Sequence, residues 1–135
     1  MSRDGFGTMY VSQAIRVLIA DDHQLLRMGL SIFLGNIDDM QVVGEATNGQ
    51  EAVELCQRLQ PDVVLMDLGM PVMDGMTATG IIAHQYPHTR VIILTSTFSD
   101  EKEKEALTVG AYNYLKKNIS ADVLADAIRE AAVSP

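Results

Sequence analysis

Short β-branched runs alternate with amphipathic stretches five times along this chain, and that alternation leaves few folds open. The runs are Ile15 to Ala20 (IRVLIA), Met40 to Ala46 (MQVVGEA), Val63 to Met66 (VVLM), Arg90 to Leu94 (RVIIL) and Tyr112 to Lys116 (YNYLK). Three of them show little polar alternation, as strands covered on both faces do. The stretches that follow carry helix punctuation. Asn48 with Glu51 reads as an N-cap with an acid at the third helical position, and Pro61 stops that helix. Asp74 caps a third helix that Pro87 ends, and Ser99 with Asp100 and Glu101 opens a fourth. Gly110 suits the left-handed turn that closes the fourth, and Ser120 opens the fifth, where Val123, Leu124, Ala127, Ile128 and Ala131 recur at helical spacing and are assigned to the core. Such an order of elements, joined by right-handed crossovers, builds a doubly wound parallel sheet of five strands with helices on both faces, a three-layer α/β sandwich.

At 135 residues the chain has the size of one domain. Residues 1–14 show no period and read as a loose extension ahead of a domain spanning 15–132. Ten basic against 18 acidic side chains give a net charge of −8, which opposes direct binding to nucleic acid. The one cysteine, Cys56, cannot form an internal disulfide and reads as a small core residue. No apolar run reaches the roughly 20 residues of a membrane span, and the start lacks the pattern of a signal peptide. The expectation is a cytoplasmic protein with no membrane partner.

Ligands of open α/β sheets bind at the carboxyl ends of the strands. There the first run delivers Asp21, Asp22 and His23, the third Asp67, the fourth Thr95 and Ser96, and the fifth Lys116 and Lys117. Any one of them alone reads as a solvated loop residue. Gathered at one edge, three carboxylates repel one another unless a cation joins them. With no cysteine near, the ion implied is hard and oxygen-seeking; Mg²⁺, which takes one or two carboxylates plus waters and phosphate oxygens, fits better than Ca²⁺. His84 and His88 fall at the far end of the third helix, so zinc is not implied and His23 is left a non-ligand. A lysine beside such a cluster makes sense if a phosphoryl group arrives, with an Asp carboxylate as acceptor and the Thr95 hydroxyl as a donor to it.

The segments VLIADDHQLLRMGL, PDVVLMDLGMPVMDG, VIILTS and GAYNYLKK resemble, in order and separation, the receiver domains of bacterial two-component response regulators. The DDH opening and GAYNYLKK are most similar to receivers of helix-turn-helix regulators of the LuxR/NarL type. The resemblance implies a flavodoxin-like strand order of 2-1-3-4-5. It implies Asp67 as phosphoacceptor, with Lys117 and Thr95 serving the chemistry. It further implies Mg²⁺ held by Asp22, Asp67 and the Gly69 backbone carbonyl, with Asp21 acting largely through water. Lys117, not Lys116, is the family lysine, being the eighth residue counted from Gly110. Thr95 and Tyr114 are the implied switch pair.

The implied partners are a sensor histidine kinase, a second copy on phosphorylation, and DNA only through an output domain, which is not expected in this chain. The receiver would catalyse only its own phosphoryl transfer and loss. Two features depart from the family: Asn118 stands where proline often follows the lysine, and Gly69 lacks a side chain. Rival readings are an aspartate-nucleophile phosphatase, which would need an acid at position 69, and a flavin-binding module, whose phosphate loop the acidic Asp21-Asp22 contradicts. A non-phosphorylated interaction module would be expected to lack some of these residues.

Overall fold

The computed structural model describes residues 13–134, so most of the expected extension, residues 1–12, lies outside the described residues. The elements run β1 (Ile15–Ala20), α1 (Gln24–Gly35), β2 (Met40–Ala46), α2 (Gly49–Leu59), β3 (Val63–Asp67), α3 (Gly75–Gln85), β4 (Arg90–Thr95), α4 (Asp100–Val109), β5 (Asn113–Lys116) and α5 (Ala121–Val133). The five strands form one parallel sheet in the order β2-β1-β3-β4-β5.

The pleat sorts each strand's residues between two cores. Val17, Ile19, Val63, Leu65, Ile92 and Leu94 pack with Leu34 of α1 and with Leu124, Ile128 and Ala131 of α5. Leu18, Val64, Met66, Val91 and Ile93 face the other way, onto Cys56 of α2, Ala78 and Ile82 of α3 and Ala106 of α4. Each fully buried Val, Leu or Ile contributes about 1.5–3 kcal/mol, so the central strands carry much of the stability.

Helix starts follow the sequence. The side chains of Asn48, Asp74, Ser99 and Ser120 accept hydrogen bonds from the backbone N–H groups of Glu51, Thr77, Lys102 and Val123. Gly110 takes a left-handed φ of 119° at the end of α4, and a Cβ there would run into Ala83. Its conformation and its close approach both require glycine.

Some expectations need correction. Val123, assigned to the core, is 52% exposed; the stripe Leu124, Ala127, Ile128, Ala131 has complete i, i+3, i+4, i+7 spacing without it. The third and fourth strands each run one residue further, to Asp67 and Thr95, and the fifth starts at Asn113. The polar residues expected beyond those strands are thus still within the hydrogen-bonded ladder, which fixes their backbones. Among the described residues no helix is long and apolar enough to cross a membrane.

Candidate functional site

Strands β1 and β3 are neighbours with Ala20 opposite Met66, so the residues that follow, Asp21 and Asp67, emerge side by side. Thr95 ends β4, and Lys117 follows the last residue of β5 and donates its backbone N–H to the Thr95 carbonyl at 2.9 Å. Asp21, Asp67 and Thr95 are buried.

The Lys117 ammonium lies 2.8 Å from Asp21 Oδ2 and 2.9 Å from Asp67 Oδ1, tying the first strand to the third. Asp67 Oδ2 has no hydrogen-bond partner among the described residues. Asp21, by contrast, is engaged at every polar atom. Its N–H donates to the Ala46 carbonyl at 3.0 Å and its own carbonyl accepts from Arg27 Nη1 at 2.7 Å. Its Oδ1 accepts from the His23 backbone N–H at 2.8 Å and lies 2.9 Å from His23 Nδ1.

Burial alone would raise the Asp21 pKa, but the hydrogen bonds from Lys117 and His23 outweigh it and hold the carboxyl below its ordinary value. Burial likewise works to lower the Lys117 pKa, and its bonds to Asp21 and Asp67 overcome that and raise it. At neutral pH the site therefore contains an ionised Asp21 and a charged Lys117.

Asp21, Asp22, His23 and Asp67 offer potential ligand atoms that all lie within 4.8 Å of one another. Three carboxylates face a single lysine ammonium in this group, and the excess of negative charge with oxygen donors suits a hard divalent cation. The His23 ring nitrogen Nδ1 is occupied with the acidic pair, 2.9 Å from Asp21 and 3.4 Å from Asp22, and no cysteine or second histidine joins the cluster. The donor set fits Mg²⁺ and does not fit zinc.

A cleft of about 500 Å³ opens beside these groups, lined among others by Asp67, Gly69, Thr77, Thr95 and Lys117. Its floor is the loop between β3 and α3. Gly75 donates its N–H to the Leu68 carbonyl at 3.0 Å, and a Cβ on Gly75 would strike the carbonyl oxygen of Asp67 itself. Gly49 of α2 donates to the Met73 carbonyl at 2.8 Å, so two helix starts grip this loop. At its tip Val72 adopts φ 68° and is 78% exposed, a strained conformation for a β-branched residue. Met66 and Met70 are buried there with Met73 and Met76 packed against them, in line with a packing role for the methionines.

The expected site residues converge at this edge of the sheet. The Thr95 hydroxyl donates to the Thr97 carbonyl at 3.0 Å and accepts from the Thr97 N–H at 3.2 Å, rather than reaching the carboxylates. Tyr114 is buried, its hydroxyl without a hydrogen-bond partner among the described residues, and its ring meets Phe98 edge to face. Lys116 stays out of the acidic cluster and places its ammonium 5.7 Å from the centre of the Phe98 ring. Sequence reasoning missed Arg27, Gly75 and Phe98. An Asp-Gly pair at a helix start hinted at the tight approach of Gly75, whereas nothing local marks Arg27 or Phe98, whose roles arise from contacts between distant segments.

Comparison with known proteins agrees with this geometry. The profile of the response regulator receiver domain family matches residues 17–129. Transcriptional regulatory protein LiaR of Bacillus subtilis is 47% identical over 118 residues, covering 87% of this chain and 56% of that protein. The chain spans little more than half the length of the curated relatives it matches. The signal receiver domain of the putative response regulator NarL from Mycobacterium tuberculosis superposes with a TM-score of 0.88 at 31% identity, covering 92% of this chain and all of that one. The CheX-CheY-BeF3-Mg complex of Borrelia burgdorferi matches with a TM-score of 0.79 at 27% identity, over 87% of this chain and 89% of that one.

Proposed function

Because this chain belongs to the family of response regulator receiver domains, we propose that Asp67 accepts a phosphoryl group from a phosphohistidine of a sensor histidine kinase. The observation that carries this reading is the Lys117 ammonium shared between Asp21 and Asp67 at the carboxyl edge of the sheet. An oxygen of Asp67 attacks phosphorus, the new O–P bond forms as the P–N bond to histidine breaks, and the electron pair leaves on the imidazole nitrogen, which takes a proton from water. Lys117 then turns from the Asp67 carboxylate to a phosphoryl oxygen, keeping its hold on Asp21. Asp22, Asp67 and the Gly69 carbonyl would hold Mg²⁺ directly, with Asp21 acting through water. The chemistry the ion supplies when bound is neutralisation of charge on the acceptor and on the transferred group.

The switch in this reading begins at Thr95. Its hydroxyl exchanges the Thr97 backbone for a phosphoryl oxygen, a stronger charge-assisted bond, and Tyr114 moves into the space released. The surface of α4, β5 and α5 changes with them, and it governs homodimer formation and an output domain that binds DNA in the parent regulator. The receiver domain proper covers residues 15–132 and works in the cytoplasm. A turnover phosphatase is disfavoured because residue 69, where that chemistry needs an acid, is glycine.

Incubation with acetyl phosphate and Mg²⁺ should give one phosphoryl adduct by intact mass, absent in Asp67→Asn. An adduct that persists in that variant would place the acceptor elsewhere.

A further inference from the structure

The first helix carries an arginine that the phosphoryl chemistry leaves without a task, Arg27 in the segment DDHQLLRMGL. Its guanidinium is the only side-chain group bonded to the Asp21 carbonyl among the described residues, at 2.7 Å from Nη1. Its Nε meets Glu45 Oε1, near the end of β2, at 3.1 Å, and Ser31 donates to the other oxygen of that glutamate at 3.0 Å. The Arg27 backbone N–H donates to the His23 carbonyl, closing the first turn of α1 over the same corner. The Arg27 side chain is 13% exposed, while Glu45 on its outer side is 41% exposed.

We infer that Arg27 is a positioning residue for the acidic pair: fixed by Glu45, its guanidinium pins the Asp21 carbonyl and thereby sets the peptide plane that aims Asp22. Peptide geometry gives the reason. The carbonyl of residue 21 and the N–H of residue 22 belong to one rigid plane, so a bond that fixes the carbonyl fixes the direction in which Asp22 leaves the strand. Asp21 needs no such help for its own carboxylate, which Lys117 and His23 already hold. Among the described residues the Asp22 side chain has only the 3.4 Å contact to His23, so its placement depends on the backbone behind it.

This inference rests on the Mg²⁺ reading of the acidic cluster, and its sign separates it from a purely electrostatic role. As a nearby cation, Arg27 repels Mg²⁺, so its loss would tighten binding if charge were all it supplied. As a positioning residue its loss weakens binding, because groups that orient metal ligands are typically worth about 10–100-fold in affinity. The test is titration of the metal-free protein with MgCl₂ alone, followed by amide NMR shifts, for wild type, Arg27→Ala and Arg27→Lys. Arg27→Ala should raise the Mg²⁺ Kd about tenfold. Arg27→Lys keeps the charge and one donor but cannot hold the carbonyl and Glu45 together, so its Kd should fall between the two. If Arg27→Ala fails to fold, the lysine variant decides alone. An affinity unchanged or tighter in the variants overturns the positioning role, whereas a wild type that binds no Mg²⁺ overturns the metal site on which it rests.

Discussion

Phe98 meets Tyr114 edge to face, with ring centroids 5.0 Å apart and planes at 67°. The contact ties the loop after β4 to the edge strand β5, and the two-way bond between Thr95 and Thr97 secures the same loop from its other side. Phe98→Ala removes an aromatic pair worth about 0.5–1.5 kcal/mol beyond its buried area. Amide hydrogen exchange of residues 96–99 and 113–116 should speed up, with the β1 and β3 amides unaffected. Equal protection of the loop in both proteins would show that the ring does not secure it.

The pH dependence of stability follows from the signs at Asp21 and Lys117. Burial opposes the charged Asp21, but its hydrogen bonds win and the folded pKa lies below the ordinary 3.8. Its contribution is therefore present above about that pH and lost as pH falls through the folded value. Lys117, also opposed by burial and rescued by its two carboxylate partners, has a folded pKa above the ordinary 10.5. Its share is present below that pH and lost as pH rises through the folded value. Urea unfolding in EDTA between about pH 2 and 5 should show less acid loss in Asp21→Asn than in wild type. Identical acid limbs would contradict the assignment.

Lys117→Ala strips the one lysine ammonium that the described residues place among these carboxylates. Breaking a buried pair costs roughly 3–5 kcal/mol, and because this one borders an open cleft we expect about 2 kcal/mol in EDTA. Millimolar Mg²⁺ should restore part of the loss, read as a larger rise in Tm than wild type shows. A variant as stable as wild type in EDTA would mean that carboxylate repulsion is already relieved by solvent.

The two glycines that follow β3, Gly69 and Gly75, should behave in opposite ways. A Cβ at Gly69 finds open space within 4 Å, while one at Gly75 strikes the Asp67 carbonyl. Gly69→Ala should leave stability within about 0.5 kcal/mol of wild type. Gly75→Ala should cost about 1–3 kcal/mol and slow acceptance of the phosphoryl group by displacing Asp67. Denaturant midpoints for the pair check this directly; equal midpoints would contradict it.

Strain at Val72 supplies a stabilising substitution. The left-handed φ of 68° suits asparagine far better than a β-branched side chain. Val72→Asn should raise stability by about 1 kcal/mol, measured by urea unfolding, since the exposed valine gives up little packing. A loss of stability would show that the valine holds the loop by contact.

Much of this was legible in the sequence because it is local or periodic. The caps at Asn48, Asp74, Ser99 and Ser120 need only a few neighbouring residues, and the apolar runs of β1, β3 and β4 announce double-sided burial. The three aspartates and Lys117 could be gathered because each ends a strand or follows one within two residues. Arg27 and Phe98 could not, since the partners that give them meaning, Glu45 and Tyr114, lie 18 and 16 residues away across the fold. Val123 failed for a subtler reason: helical spacing marks a stripe but not how far each edge of it is covered. The position of Thr95 at the end of β4 was legible, whereas its bonds to the Thr97 backbone were not, since a short-range side-chain bond leaves no pattern in the sequence.

Strand β5 is an edge strand of four residues that pairs only with β4. The cation that Asp21 and Asp67 share hangs from its end. The charge of the carboxylate pair is thus balanced only when this edge strand has docked on β4. A copy in which β5 has come away presents these aspartates without Lys117. With Asp67 as the proposed acceptor, the same contact would make the readiness of the site a report on whether the sheet is closed at that edge.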